Sequence, residues 1–156
     1  MLKEQERIDI VRYRLENAHK TLKEVDLLIQ NGLFNTAANR MYYACFYAVS
    51  ALLVANQITT KSHDGVKQMF GLHFIKTGIF PAYFGKYYGE LFYERITGDY
   101  EDLFDHDEVS INGLYPKAKE IVDAVTALTN KWLEEQESNQ KTNKNTSNQA
   151  NKPANE

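Results

Sequence analysis

The sequence predicts an all-α protein: an up-and-down antiparallel bundle of about five helices, followed by a disordered C-terminal tail. Apolar residues recur at steps of three and four along several long segments, which is the period of amphipathic helices. Eight Gly and three Pro among 156 residues are few for the many turns of an all-β chain. The segments between the periodic stretches are short, which favours antiparallel neighbours in a bundle. The length suits one domain, which we place at residues 1–137.

The first two predicted helices are the most regular. The first spans residues 4–31, and Asn31-Gly32 ends it because both residues tolerate the left-handed conformation found after helix C-termini. Its stripe comprises Ile8, Val11, Leu15, Ala18, Leu22 and Val25. The second helix spans residues 35–56 and is apolar on most sides, so we expect it to lie at the centre of the bundle. Its alanines at positions 37, 44 and 48 allow neighbouring helices to approach closely.

The third and fourth helices are predicted from their end signals. Ser62 is a candidate N-cap for a helix that runs through Lys76. Pro81 suits the first turn of the next helix, because proline is preorganised for that position. This fourth helix is expected to run to about Ile96, and Gly98 is expected to break it.

The fifth helix and the tail complete the predicted organisation. Residues 101–112 are rich in acidic side chains and are predicted to form a solvated loop. The fifth helix is then expected to begin near Tyr115-Pro116 and to end near Glu137. Residues 138–156 contain no Leu, Ile, Val, Phe, Tyr or Trp, so they cannot bury enough apolar surface to offset their chain entropy. We therefore predict that 138–156 form a disordered polar tail.

Composition excludes several classes of protein. The formal net charge is −3, so any contact with nucleic acid must come from a local basic patch rather than from the whole molecule. A single cysteine, Cys45, excludes an internal disulfide, and its apolar neighbours predict a buried thiol. The sequence shows no secretory leader and no apolar run long enough for a membrane span. We expect a cytoplasmic protein with no membrane association.

No cofactor or metal is expected. A di-iron bundle needs two Glu-x-x-His pairs, and only Glu16 and His19 form one. The acidic residues between Asp102 and Glu108 lack the glycine and the glutamate spacing of a calcium-binding loop. Phosphate-binding glycine loops, nucleophile elbows and zinc signatures are absent from the sequence.

Three short segments carry candidate functional side chains. Arg40, Tyr43 and Tyr47 share one face of the second helix, where aromatic rings could hold the guanidinium towards a phosphate or a partner carboxylate. The structural alternative is a buried arginine paired with an acid from another helix.

The other two segments lie at helix ends. Arg95, Asp99 and Tyr100 would cluster at a helix terminus, either as a site for an anion or RNA or as a structural clamp. Lys61 and His63 flank the predicted N-cap, where free amides can meet phosphate. A capping role for His63 is the alternative.

These segments together resemble the HEPN family (higher eukaryotes and prokaryotes nucleotide-binding domain), and the resemblance covers roughly residues 5–137. The segments are Arg40-x-Tyr42-Tyr43-Ala44-x-Phe46-x-Ala48, Lys61-Ser62-His63-x-Gly65-Val66 and Arg95-x-x-Gly98-Asp99-Tyr100. The resemblance implies a helical bundle that commonly dimerises, often encoded beside a small nucleotidyltransferase as a toxin–antitoxin pair. It also implies RNA or a nucleotide as the ligand.

The resemblance further implies a metal-independent endoribonuclease in active members. Their motif is an Arg followed after four to six residues by a His, with the Arg on the scissile phosphate and the His assisting proton transfer. In this chain the positions after Arg95 hold Tyr100, Glu101 and Asp102 instead. The candidate catalytic residues are therefore Arg95, Asp99 and Tyr100, and the candidate phosphate-binding residues are Arg40, Tyr43, Lys61 and His63.

Two functional hypotheses follow. The first is a protein that binds or cleaves RNA as the toxin-like partner of a nucleotidyltransferase. The second is a non-catalytic dimeric interaction module, because the motif histidine is missing and the fourth helix carries surplus aromatic residues. These aromatic residues are Tyr83, Phe84, Tyr87, Tyr88, Phe92 and Tyr93.

Overall fold

A computed structural model describes residues 2–100 and 105–150, with side chains for 2–95 and 105–150. Within these ranges the chain is all-α, without strands, and the predicted five-helix bundle is confirmed. The elements are α1 (Glu4–Gln30), α2 (Phe34–Ala55), α3 (His63–Phe70), α4 (Ala82–Tyr100) and α5 (Glu108–Ala150), with a π-helical turn (Gly71–Ile75) directly after α3. None of the described helices is long and apolar enough to cross a membrane.

Helix α2 lies at the centre of the bundle, as its composition predicts. It packs against α1, α3, α4 and α5, and its pairing with α1 is the most extensive in the molecule. The alanines at positions 37, 44 and 48 are fully buried, so that small side chains bring the surrounding backbones close. Cys45 is buried among them, and burial raises the pKa of its thiol. The thiol therefore serves as a small core group.

The α3 N-terminus forms as predicted. Ser62 adopts an extended backbone conformation, and its Oγ accepts a hydrogen bond from the Gly65 backbone N–H at 2.9 Å. The helix then widens into the π-helical turn, where the Lys76 N–H donates to the Gly71 carbonyl at 2.8 Å. The cap places His63 at the first position of α3. The start of α3 packs against α2.

Helix α4 does not break where the sequence predicts. Its backbone continues past Gly98 and ends at Tyr100. A helix tolerates one interior glycine at a cost of about 1 kcal/mol relative to alanine, and the hydrogen-bond ladder outweighs that cost here. Asp99 and Tyr100 therefore belong to the last turn of α4, and their side chains lie outside the described residues.

Helix α5 begins earlier than predicted. It starts at Glu108, so the prediction of a loop over 108–112 is wrong, while 101–104 lie outside the described residues. The cause is a reciprocal cap: the Ser110 N–H donates to Asp107 Oδ1 at 2.8 Å, and the Asp107 N–H donates to Ser110 Oγ at 3.1 Å. Pro116 consequently lies inside the helix rather than at its first turn.

The polar segment after residue 137 is helical in the structure, whereas the sequence predicts that it is disordered. The structure continues α5 through Ala150, and residues 151–156 lie outside the description. Packing nevertheless ends near the predicted boundary, because Leu133 is the last buried side chain of α5 and every residue from 141 to 150 is exposed. Helical hydrogen bonds are local, so a helix can continue beyond the packed body of the protein. The domain boundary at residue 137 and the disorder of the tail in solution stay predictions.

Candidate functional site

The Arg95 side chain lies where α4 crosses α2. Its guanidinium carbon is 5.4 Å from the centre of the Tyr42 ring and 5.5 Å from that of Tyr43. Both distances fit cation–π attraction, in which the negative face of an aromatic ring stabilises a positive charge. Arg95 is half-buried, so this contact orients the guanidinium at the edge of the bundle.

Arg95 also lines a cleft of about 280 Å³ between α2, α4 and the start of α5, which we call the Arg95 cleft. The lining residues are Asn35, Thr36, Ala38, Asn39, Glu94, Arg95 and His106. Amide and hydroxyl groups dominate this wall, and they can hydrogen-bond to a polar ligand of either charge. The guanidinium is therefore placed in a polar opening rather than sealed within the apolar core.

Arg40 approaches the same aromatic residues from α2. Its guanidinium carbon is 4.7 Å from the centre of the Tyr43 ring, and its Nη2 donates to Asn39 Oδ1 at 2.9 Å. Among the described residues Arg40 forms no ion pair, unlike the buried arginine–acid pair considered as the structural alternative. Two arginines thus share the ring of Tyr43, where their positive charges would favour an anion between them.

His63 reaches the aromatic cluster from the start of α3. Its Nδ1 lies 2.8 Å from the Tyr42 hydroxyl, and its ring stacks on Phe46 with centres 4.3 Å apart. Desolvation first, and the positive charge of Arg95 second, lower the pKa of His63. Desolvation also raises the pKa of Tyr42 to about 12. Both groups are therefore neutral at pH 7, and either can donate the hydrogen bond that joins them.

The structure brings four of the predicted residues together around one ring. The Tyr43 ring is contacted by Arg40, by Arg95 and, edge-on at 5.7 Å between ring centres, by His63. Lys61 lies elsewhere, in a second cleft described below. Asp99 and Tyr100 fall on α4 one turn beyond Arg95, and their side chains are not described. We call Arg40, Tyr42, Tyr43, His63 and Arg95 the Tyr43 cluster.

His106 is a site residue that the sequence analysis missed. It is buried in the wall of the Arg95 cleft, with its Nε2 3.4 Å from Glu94 Oε2 and its Nδ1 3.1 Å from Ser110 Oγ. Its backbone N–H donates to Asn35 Oδ1 at 2.7 Å, which ties the start of α5 to α2. The Asp107-x-x-Ser110 capping pattern was the available signal, because it predicts a helix start beside His106.

The second cleft, which we call the α3 cleft, has a volume of about 380 Å³ and lies between α1, α2 and the start of α3. Its lining residues are Tyr13, Arg14, Asn17, Phe46, Tyr47, Ser50, Thr60, Lys61, Ser62, His63 and Val66. Arg14 is another residue that the sequence analysis missed, because it lies on the largely polar α1 without a motif around it. His63 belongs both to this cleft and to the Tyr43 cluster.

Metal ligands do not cluster in the part of the chain that the structure describes. No three His, Cys, Asp or Glu side chains of residues 2–95 and 105–150 are arranged to hold a metal ion. Apart from the Glu94 carboxylate in the Arg95 cleft, the polar side chains that line the two clefts carry guanidinium, ammonium, imidazole, amide and hydroxyl groups. These groups suit the recognition of phosphate and of nucleic-acid bases.

Comparison with known proteins identifies relatives over most of the chain. A UPF0332 protein of Thermotoga maritima is 37% identical over 123 residues, which cover 79% of this chain and 93% of that protein. A protein of Methanocaldococcus jannaschii with the name "Putative toxin MJ0142" is 37% identical over 87 residues, or 56% of this chain and 59% of that protein. A second protein of that organism, "Putative toxin MJ0605", is 34% identical over 86 residues, or 55% and 64%.

The family model described as the HEPN domain matches residues 11–134. This range includes the whole Tyr43 cluster and both clefts. It also begins within α1 and ends just after the last buried residue of α5, so it covers nearly all of the packed body of the molecule. The chain therefore belongs to the HEPN domain family.

Proposed function

We propose that this protein binds RNA at the Tyr43 cluster and acts as the toxin of a cytoplasmic two-protein module whose other member is a small nucleotidyltransferase. Family membership and the relatives named as toxins support a toxin-like role connected with nucleotides or RNA. The observation that carries the proposal is the position of Arg95, held on Tyr42 and Tyr43 in the wall of a polar cleft.

The geometry suits recognition of an RNA phosphate. A guanidinium whose face rests on aromatic rings presents its N–H edge in a restricted orientation, which lowers the entropy lost when it binds phosphate oxygens. Partial burial strengthens such charge-assisted hydrogen bonds. Arg40, on the same ring, adds a second positive charge. The amides of Asn35 and Asn39 in the adjoining cleft can hydrogen-bond to the edges of an unstacked base.

His63 can supply the imidazole that the spacing after Arg95 lacks. When its Nδ1–H donates to the Tyr42 oxygen, its Nε2 keeps a lone pair and can accept the proton of a ribose 2′-hydroxyl. The 2′-oxygen would then attack the adjacent phosphorus, forming a 2′,3′-cyclic phosphate and releasing the 5′-oxygen, which takes a proton from water. The lowered pKa of His63 keeps the ring neutral, as a proton acceptor must be.

The test is a binding and cleavage assay with purified protein, transfer RNA and a structured RNA, in the presence of a chelator. We expect RNA binding that Arg95→Ala weakens about tenfold or more. We expect His63→Gln to reduce cleavage more than binding. The matched control is Arg12→Ala, because Arg12 pairs with Glu137 on α5 and lines neither cleft. Absence of binding, or binding that is equal in wild type and the Arg95 variant, contradicts the proposal.

A non-catalytic dimeric interaction module is the second candidate, and the aromatic residues of α4 favour it. Phe84 and Tyr88 are buried, whereas Tyr93 is 62% exposed and Tyr83 is 42% exposed. Exposed aromatic side chains are typical of protein interfaces. Light scattering at micromolar concentration should show a dimer that Tyr93→Ser weakens. If wild type and the Tyr93→Ser variant are both monomeric, the homodimer is wrong for either candidate function.

A further inference from the structure

We propose that the α3 cleft is a second phosphate subsite, which holds a neighbouring nucleotide of the RNA strand that the Tyr43 cluster binds. The proposal deepens the proposed function and rests on it. It assigns binding roles to Arg14 on α1, Tyr47 on α2 and Lys61 just before α3, none of which lines the Arg95 cleft. The proposed ligand is a single strand of RNA that runs from one site to the other past His63.

The charge of the α3 cleft is the first argument. Arg14, Lys61 and His63 line it, and none of its lining residues is Asp or Glu. The nearby Asp64 is exposed, is absent from the lining and accepts a hydrogen bond from Gln68 Nε2 at 2.7 Å. In a chain with a net charge of −3, a cleft lined only by basic and neutral side chains concentrates positive potential.

The state of Arg14 is the second argument. The side chain is half-buried, and desolvation lowers the pKa of its guanidinium. Among the described residues no carboxylate pairs with it. Partial burial of a charge costs free energy unless an opposite charge or hydrogen bonds compensate. An anionic ligand in the cleft would supply that compensation.

The shape and the neutral lining groups identify the ligand as a nucleotide. A volume of about 380 Å³ lies within the range of about 300–1,000 Å³ that is common for small-ligand sites. Phe46 and Tyr47 offer aromatic surface on one wall, and Tyr13 is 66% exposed at the edge. Any of the four bases can stack on such rings. The side chains of Asn17 and Thr60 can hydrogen-bond to the sugar or the phosphate.

His63 connects the two sites. It lines the α3 cleft, and on the side of the Tyr43 cluster it bonds to Tyr42 and contacts the Tyr43 ring. Arg95 contacts the same two rings. A strand with one phosphate at Arg95 and another at Arg14 would therefore place the ribose between them beside His63.

The experiment measures the affinity of a single-stranded RNA oligonucleotide for wild-type protein and for variants of the α3 cleft. We expect Arg14→Gln combined with Lys61→Gln to weaken binding at least about tenfold, as expected for lost contacts between charged side chains and phosphate. Lys23→Gln is the matched control: Lys23 is exposed on α1 nine residues after Arg14, hence on the opposite face of that helix. It should leave the affinity unchanged.

Three results would overturn the inference. If Arg95→Ala weakens binding and the double variant does not, the subsite is wrong while the proposed function stands. If neither variant changes the affinity, both fail. If adenosine 5′-monophosphate binds as tightly as the oligonucleotide, the cleft takes a free nucleotide rather than a strand. Arg14→Lys keeps the charge and should retain most of the binding, so the test survives if Arg14→Gln fails to fold.

Discussion

At the scale of single residues, the ring of Tyr43 organises the candidate site. Two guanidinium groups near one ring repel each other, and attraction to the ring offsets this by about 0.5–2 kcal/mol for each cation–π contact. A phosphate between Arg40 and Arg95 would remove the remaining repulsion. The same aromatic residues desolvate His63 and lower its pKa.

The lowered pKa of His63 predicts a pH-dependent stability. The unfolded chain binds the proton of this histidine more readily than the folded protein does. The free energy of unfolding should therefore fall as the pH drops through the unfolded value of about 6.5 and further towards the lower folded value. Replacing His63 with Asn should flatten this part of the profile, as measured by urea unfolding at several pH values.

The control for this pH profile is His73→Asn. His73 is exposed on the π-helical turn and lies outside the Tyr43 cluster, so this variant separates the effect of His63 from that of losing any one histidine. An unchanged profile in His63→Asn would show that burial beside Arg95 does not disfavour the protonated ring.

Only some of the contacts in the candidate site could be predicted from the sequence. Arg40 and Tyr43 could be placed on one helix face because three residues make almost one turn. The meeting of His63 and Arg95 around that ring could not be predicted by periodicity, since it depends on how α3 and α4 pack on α2. Arg14 was missed for the same reason, because its importance comes from neighbours distant in sequence, whereas the capping pattern beside His106 was a local signal that was overlooked.

At the scale of elements, apolar stripes predicted the helices and local caps decided their ends. The predicted first and last residues of α1 and α2 lie within one residue of those observed. The predicted C-terminal end of α4 and the predicted start of α5 were wrong, because Gly98 was taken as a helix breaker and Pro116 as a first-turn residue. The helical hydrogen-bond ladder at Gly98 and the reciprocal cap of Asp107 and Ser110 outweighed these signals.

The interior position of Pro116 predicts a stabilising substitution. Proline lacks the N–H that would bond to the carbonyl of Asn112, and its ring crowds that carbonyl. Pro116 is exposed, so alanine there should fit without new contacts. We expect Pro116→Ala to raise the free energy of unfolding by about 1–3 kcal/mol. Lys131→Ala, at an exposed position of the same helix, should change it by less than about 0.5 kcal/mol. A destabilised Pro116→Ala protein would contradict a continuous helix from Glu108.

At the scale of the whole molecule, the C-terminal part of α5 lies outside the packed body. The body extends to Leu133, and side-chain contacts beyond it join α5 to α1, among them those of Arg12 with Glu137 and of Gln5 with Gln140. Between 141 and 150 every side chain is exposed. Sequence composition located this change of character, and the disorder of the exposed segment in solution stays a prediction.

This separation predicts that the polar C-terminal segment contributes little to stability. A protein ending at Gln140 should unfold with a free energy within about 0.5 kcal/mol of the full chain, because the segment from 141 to 150 buries no side chain. Thermal and urea unfolding would measure the difference. A protein ending at Asn130 is the comparison: it lacks the buried Leu133 and should be clearly less stable. Equal loss in both proteins would show that the tail packs on the body.

The salt dependence of RNA binding tests the central claim, contact between Arg95 and phosphate, most directly. For single strands the logarithm of the binding constant falls with the logarithm of salt concentration by about 0.7 for each neutralised phosphate. Arg95→Gln removes the charge, so the slope should become shallower by about 0.7 and the affinity should fall. A variant with the same slope and affinity as the wild type would contradict the account.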